Sequence, residues 1–346
     1  MGTPFGTLTT PNITPDPDTG IGAWSDEEFY QAVTNGIGRR GEYLYPAMPF
    51  TSFTRMTRGD VLAIKAYLFS LKPVNAPPVP NDMVFPFDIR LTLFAWRELY
   101  FHPGVYQPDP RHSPEWNRGA YLVEGAGHCG ECHSPRNILG GTETENSLAG
   151  GQLDEWRAPN ISADPRWGIG GWSVDDIVTF LKTDTQKTEG LAFGPMMTVV
   201  HDSLSYVSSA DLRAMAVFLK SGPERTPDIT DQVASRGELQ QGQKLYSNHC
   251  AKCHQDTGQG FVDIVPKLAL NAAVISAHPN NLIAAVLNGL QGTGTYGTMP
   301  GFAGNLNDQE ISDIANYVRD SWGNRAPTNA TPALVATVRK AAAGQH

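Results

Sequence analysis

The sequence predicts an all-α protein assembled in tandem from three related units, two complete and one partial. Three observations carry that prediction. A long stretch recurs within the chain, each copy closes on an apolar stripe at helical spacing, and the alternation typical of strands is nearly absent. The repeat is read directly: "TPNITPDPDTGIGAWS" at 10–25 matches "APNISADPRWGIGGWS" at 158–173. Asn12 pairs with Asn160 and Trp24 with Trp172, and the same step of 148 residues takes Met48 in "YPAMPF" to Met196 in "FGPMMT".

The closing helices follow in register. After a three-residue insertion, Asp60 in "GDVLAIKAYLFSLK" pairs with Asp211 in "ADLRAMAVFLKSG". Val61, Ile64, Leu68 and Leu71 form one stripe, and Leu212, Met215, Ala216 and Leu219 the next. A more divergent third copy, "NDQEISDIANYVRDSW", carries Ile311, Ile314, Ala315 and Val318. Each stripe reads first as a core face.

Boundaries come from composition. "KPVNAPPVPN" (72–81) is a semi-rigid proline-rich linker and "SGPERTPD" (221–228) a shorter break. The expected units are therefore 1–78, 79–225 and 226–346. Units two and three open with helix-like segments, "NRGAYLVEGAGH" and "RGELQQGQKLYSNH", which run straight into C-x-x-C-H. Unit one has no such segment, and the repeat step would place its first cysteine ahead of residue 1. It is expected to be a truncated copy. The 35 glycines and 26 prolines suit helices separated by long structured loops.

Charge narrows the function classes. At 346 residues with a net charge of −9 and no basic run, the chain is expected to be soluble and not to bind nucleic acid. No stretch reaches the roughly 18–20 apolar residues of a membrane-spanning helix. The best candidate, 85–101, is interrupted by Asp88, Arg90, Arg97 and Glu98, and reads as an amphipathic surface or interface helix. The tail "PALVATVRKAAAGQH" reads as a frayed terminus in preference to a membrane-lying helix. No export signal is visible after Met1.

The chemistry lies in the cysteines. Cys129, Cys132 and His133 form one C-x-x-C-H, and Cys250, Cys253 and His254 the other; together they use all four cysteines. Two thiols on one helical turn can add across the two vinyl groups of a haem, placing the next histidine beneath the iron. A zinc ribbon would bring its two pairs within about 15–20 residues of each other, whereas here Cys129 and Cys250 stand 121 positions apart, across a domain boundary. A thioredoxin-like pair would need a βαβ setting, and a C-x-x-C disulfide closes too short a loop to restrain much.

A haem with one histidine ligand then needs a sixth ligand or an open position, and a methionine sulfur would favour electron transfer and raise the potential. The repeat puts a methionine in a proline-bearing loop before each closing helix: Met196 and Met299 in the complete units, Met48 in the partial one. Met197 is a rival to Met196, but the repeat step and the preceding proline favour Met196. Arg136 stands where it could pair with a haem propionate or remain solvated. His128 and His249 read as loop residues, and Asn160, Trp156 and Trp172 as walls of a pocket. No hydrolase elbow, phosphate loop or dinucleotide fingerprint is present.

Taken with "LYPAMPF", "NRGAYLVEGAGHCGECHSPRN", "GPMMTVVHDSLSYVSSADLRAMAVFLKS" and "GTMPGF", these motifs resemble the three-haem cytochrome c subunit of bacterial membrane-bound dehydrogenases over nearly the whole chain. The resemblance implies tandem cytochrome c-like domains on the periplasmic face of the inner membrane, peripherally associated with it. It further implies electrons received from a catalytic subunit of molybdopterin, FAD or PQQ type and passed to ubiquinone or an oxidase, with no substrate chemistry on this chain. "FPFDIRLTLFAWRELYF" followed by "WNRGAYLVEG" leans toward the molybdopterin type. Two of the family's three C-x-x-C-H sites stand in this sequence, so two covalent haem c groups are expected, with a third only where a missing N-terminal segment is present. The rival readings are a dihaem cytochrome c peroxidase-like enzyme, which needs an open iron position, and a free-standing periplasmic carrier.

Overall fold

A computed structural model describes residues 2–186, 190–227, 229 and 233–343. The regular structure is mostly helical. Among the described residues, strands occur only as short antiparallel pairings of two or three residues each, so the all-α expectation is modified by small clips between loops. Two compact units are resolved, one comprising residues up to 131 together with 136–143, the other 132–135 and 144 onward.

In the first unit, β1 (Gly2–Thr3), β2 (Gly6–Thr7) and β3 (Asp82–Met83) form a three-stranded clip in that order, with Gly2 opposite Thr7 and Gly6 opposite Met83. Helix α1 (Asp26–Asn35) begins with a capping box between Ser25 and Glu28, and three acidic residues in its first turn complement the helix dipole. A single turn, α2 (Phe50–Phe53), leads to α3 (Arg58–Ser70), N-capped by Thr57. Ile21, Phe29, Met56 and Val61 form the core between them.

Here the sequence expectation needs correction. Val61 is fully buried and Leu68 packs against the core, but Ile64 is 42% and Leu71 39% exposed. The buried neighbour on this helix is Lys65, whose ammonium donates to the Trp24 carbonyl (2.8 Å) and to Asp26 (2.7 Å). A lysine reaching back to a loop carbonyl has taken a place that an apolar stripe would fill.

Helix α4 (Thr92–Tyr100) lies within the amphipathic segment read from sequence. Its Arg97 guanidinium covers the rings of Tyr43, Phe50 and Phe101, while Phe94 and Leu99 face solvent. Helix α5 (Pro114–Tyr121) continues as one π turn, Leu122–Ala126, and the one-turn α6 (Gly130–His133) completes the approach to the first motif.

In the second unit, β4 (Gly151–Leu153) pairs with β5 (Trp156–Ala158), and α7 (Val174–Thr183) follows a Ser173–Asp176 capping box. The clip β6 (Thr185–Gln186) with β7 (Gly190–Leu191) precedes α8 (Pro195–Asp202) and α9 (Ser209–Lys220). The α9 stripe is buried throughout: Leu212, Met215, Ala216 and Leu219 are each at most 5% exposed.

Helix α10 (Arg236–His249) is followed by the single turns α11 (Ala251–His254) and α12 (Ala272–Ile275), then by α13 (Asn280–Asn288) and α14 (Asp308–Asp320). α10 and α14 cross in close contact, with Tyr246, Tyr317 and Trp322 clustered beside the crossing. The stripe Ile311, Ile314, Ala315 and Val318 is buried here too.

The tail reading is overturned. Residues Pro332–Ala343 form α15, which packs on α13 and α14 and buries Val335 (0% exposed) and Val338 (2%) in their core. Arg339 fastens it through Asp308 and the carbonyls of Ala303 and Leu306. Among the described residues, no helix is long and apolar enough to cross a membrane.

The repeat is physical as well as textual. Asn12 accepts from the Thr14 amide and donates to the Val74 carbonyl; Asn160 accepts from the Ser162 amide and donates to the Arg225 carbonyl. Lys220 closes on the Gly170 and Trp172 carbonyls, as Lys65 does on Trp24. Asn160 is thus a loop clamp, and Trp172 stacks edge-on against Phe180.

Candidate haem-binding centres

The two C-x-x-C-H histidines are treated alike by the fold. Each ends a one-turn helix, α6 or α11, and each is almost fully buried, His133 at 8% and His254 at 9% exposure. His133 Nδ1 donates to the Pro159 carbonyl at 2.7 Å, and His254 Nδ1 donates to the Pro266 carbonyl at 3.1 Å. A carbonyl can only accept, so Nδ1 carries the proton and Nε2 keeps its lone pair for a metal. Burial lowers the pKa of both imidazoles and so favours the neutral, ligating form.

The backbone repeats the pattern. The His133 carbonyl accepts from the Gly150 amide and the His254 carbonyl from the Gly260 amide. Both histidines are therefore held at ring and backbone. Sequence reading misses Pro159 and Pro266, because a main-chain carbonyl leaves no residue-type signature; the available hint is a proline 26 and 12 residues after the histidine, respectively.

None of the four cysteines forms a disulfide. Cys129, Cys132 and Cys250 are half-buried and Cys253 is exposed. Burial, with Cys253 beside it, pushes the Cys250 thiol up to about 11, so it is held as a thiol at neutral pH. Among the described residues, no group of three or more His, Cys, Asp or Glu side chains could hold a metal ion alone. The donor set, thiols next to a neutral imidazole with a free Nε2, suits covalent haem c.

The methionines lie in built segments. Met196 is half-buried and stands directly after Pro195 at the start of α8, beyond Gly194. Met299 is half-buried and packs against the α10–α14 core. It exchanges both backbone hydrogen bonds with Leu290 (3.0 and 2.9 Å), forming a small hairpin. Gly289 makes this possible: its φ is +74°, and a Cβ there would stand 2.4 Å from the Met299 carbonyl. Met48 is half-buried in the loop before α2.

The remaining candidates have other partners. Arg136 pairs with the Glu131 carboxylate and donates to the carbonyls of Glu131 and Gly140 (3.1 and 2.8 Å). His128 lies against Phe53, and His249 against Phe302. Trp156 packs beside Phe193 and under Gly194, at the approach to Met196.

Two C-x-x-C-H turns, each closing on a buried histidine with Nδ1 bound to a carbonyl, are the arrangement of a c-type cytochrome. The Cytochrome c family model matches residues 239–322, a segment running from within α10 through α14 to Trp322. Over its full length the chain is 40% identical to a component of the nicotinate dehydrogenase of Pseudomonas putida, a much longer protein of which it spans 30%. Over 97% of its length it is 38% identical to the cytochrome c subunit of the quinone alcohol dehydrogenase of Gluconacetobacter polyoxogenes, covering 77% of that protein. It is likewise 38% identical to the gluconate 2-dehydrogenase cytochrome c subunit of Pantoea cypripedii, covering 82% of it. The chain belongs to the family of dehydrogenase cytochrome c subunits.

Proposed function

We propose that this chain is the electron-transfer subunit of a dehydrogenase complex and holds two covalent haem c groups. Cys129 and Cys132 would hold one through thioethers to its vinyl carbons, and Cys250 and Cys253 would hold the other. His133 and Met196 would supply the iron ligands of the first, His254 and Met299 those of the second. The observation that carries this reading is the matched fixation of His133 and His254, each buried with Nδ1 bound to a proline carbonyl.

A haem bound here supplies a reversible one-electron couple. The chain's own residues set its conditions: the imidazoles keep one tautomer, the core around α13 and α14 excludes water, and a sulfur ligand raises the potential. The repeated Asn12 and Asn160 clamps support a division into three tandem units at about residues 78 and 225. The similarity to dehydrogenase subunits supports a catalytic subunit as electron donor, of molybdopterin, FAD or PQQ type, with ubiquinone or an oxidase as acceptor. Residence on the periplasmic face of the inner membrane, with peripheral attachment, fits that arrangement.

Visible and near-infrared spectra of the exported protein test the ligand assignment. Two low-spin haems are expected, with a far-red sulfur–iron absorption when oxidised and no uptake of carbon monoxide when reduced. A high-spin haem that turns over peroxide would favour the peroxidase reading instead.

A further inference from the structure

Asp184, at the end of α7, is 4% exposed and sits with φ +62°, ψ −3°, a left-handed conformation uncommon for a side chain other than glycine. Its backbone is engaged on both sides. Its amide donates to the Phe180 carbonyl at 2.9 Å, and its carbonyl accepts from the Ala192 amide at 2.7 Å. Its carboxylate oxygen Oδ2 is shared between two donors from distant parts of the chain: His201 Nε2 and, at 3.1 Å, Thr293 Oγ1.

Those two donors belong to the two methionine-bearing segments. His201 is in the last turn of α8, the eight-residue helix that starts Pro195-Met196. Over so short a helix the five-residue step from Met196 to His201 forms a rigid rod of about 7.5 Å at 1.5 Å per residue. Thr293 lies in the hairpin that pairs Leu290 with Met299, and its carbonyl accepts from the Tyr296 amide to close the tip. Thr293 is itself buried.

We infer that Asp184 is a positioning residue for both axial methionines, anchoring α8 through His201 and the Met299 hairpin through Thr293. The inference rests on the assignment of Met196 and Met299 as ligands. Groups that orient a ligand govern how firmly it stays on the metal. A thioether is a weak ligand on a flexible side chain, so its segment must be held from outside.

Cyanide capture by the oxidised protein reads the opening of each sulfur–iron bond. The two kinetic phases are assigned with Met299→Ala, and the methionine methyl resonances of the reduced protein are recorded in parallel. Thr293→Val is expected to accelerate capture about tenfold at the His254/Met299 haem alone, the order expected for losing one hydrogen bond to a charged group. His201→Ala does the same at the His133/Met196 haem alone, and Asp184→Ala acts on both; Asp184→Asn, which keeps one acceptor oxygen, has a smaller effect. If Asp184→Ala fails to fold, the two one-sided variants carry the test. Unchanged rates in all variants, or equal acceleration of both haems by Thr293→Val, overturn the inference. A wild-type protein without the sulfur–iron absorption would instead overturn the ligand assignment itself.

Discussion

Gly242 of α10 lies against the backbone of Asp313 on α14, so closely that a Cβ on the glycine would stand 2.1 Å from the Asp313 carbonyl oxygen and 2.8 Å from Tyr317 Cβ. Backbone cannot step aside as a side chain can. Gly242→Ala should gain about 1 kcal/mol of helix propensity and lose more than that, up to about 3 kcal/mol, by forcing the helices apart. The net is destabilising. The urea midpoint of the holoprotein checks it, and a variant at least as stable as wild type would mean the crossing is looser than described.

Helix α15 is core, not tail. Val335→Ala should cost about 1–2 kcal/mol, by the methyl groups removed from a filled site, and deletion of 332–346 should lower the melting temperature by many degrees. Thermal unfolding followed at the haem absorption measures both. An unchanged melting temperature after deletion would return α15 to the surface.

Arg319 has no exposed surface and spends its guanidinium on carbonyls: Pro327, Val274 and Ser276, each at 2.8 Å, and Ala277 at 3.3 Å, with the Asn329 side chain at 3.4 Å. Lysine has a point charge where this site needs a planar fork. Arg319→Met, which orphans several buried acceptors, should cost about 3 kcal/mol or more, and Arg319→Lys an intermediate amount. Denaturant titration of the three proteins should rank them arginine, lysine, methionine.

The Asp26–Lys65 pair gives a pH dependence whose sign is fixed. Lys65, by hydrogen bond and by charge, holds the Asp26 carboxyl below its ordinary value of 3.8. A carboxyl lowered on folding stabilises the fold above its unfolded pKa, and that contribution is lost as pH falls through the folded one. Wild type should therefore lose more stability than Asp26→Asn between pH 6 and pH 3. Because Asp26 is exposed, the difference should be small and should shrink with added salt. Parallel pH profiles for the two proteins would rule out this linkage.

Much of this organisation is legible in the sequence, for reasons tied to particular residues. The proposed haem attachment needs Cys129, Cys132 and His133 close together in the chain, so spacing alone displays them. The Asn12 and Asn160 loops repeat because each clamp needs an amide side chain at one place. The α9 and α14 stripes are buried as their spacing suggests, since neighbouring helices cover them. Ile64 and Leu71 are not, because periodicity reports a face and not what packs on it. The Pro159 and Pro266 carbonyls are invisible because every residue offers a carbonyl. Helix α15 reads as a tail because its Ala-rich pattern is weak until Val335 and Val338 meet α13 and α14. Asp184 does not stand out because its two partners lie 17 and 109 residues away.

The central claim is that each cysteine pair is covalently joined to a haem. Intact-mass measurement of the exported, denatured protein tests it most directly, together with the Cys250→Ala/Cys253→Ala variant. The account predicts a mass above that of the polypeptide by two haems in the wild type and by one in the variant. A wild-type mass equal to that of the amino acids alone would contradict it.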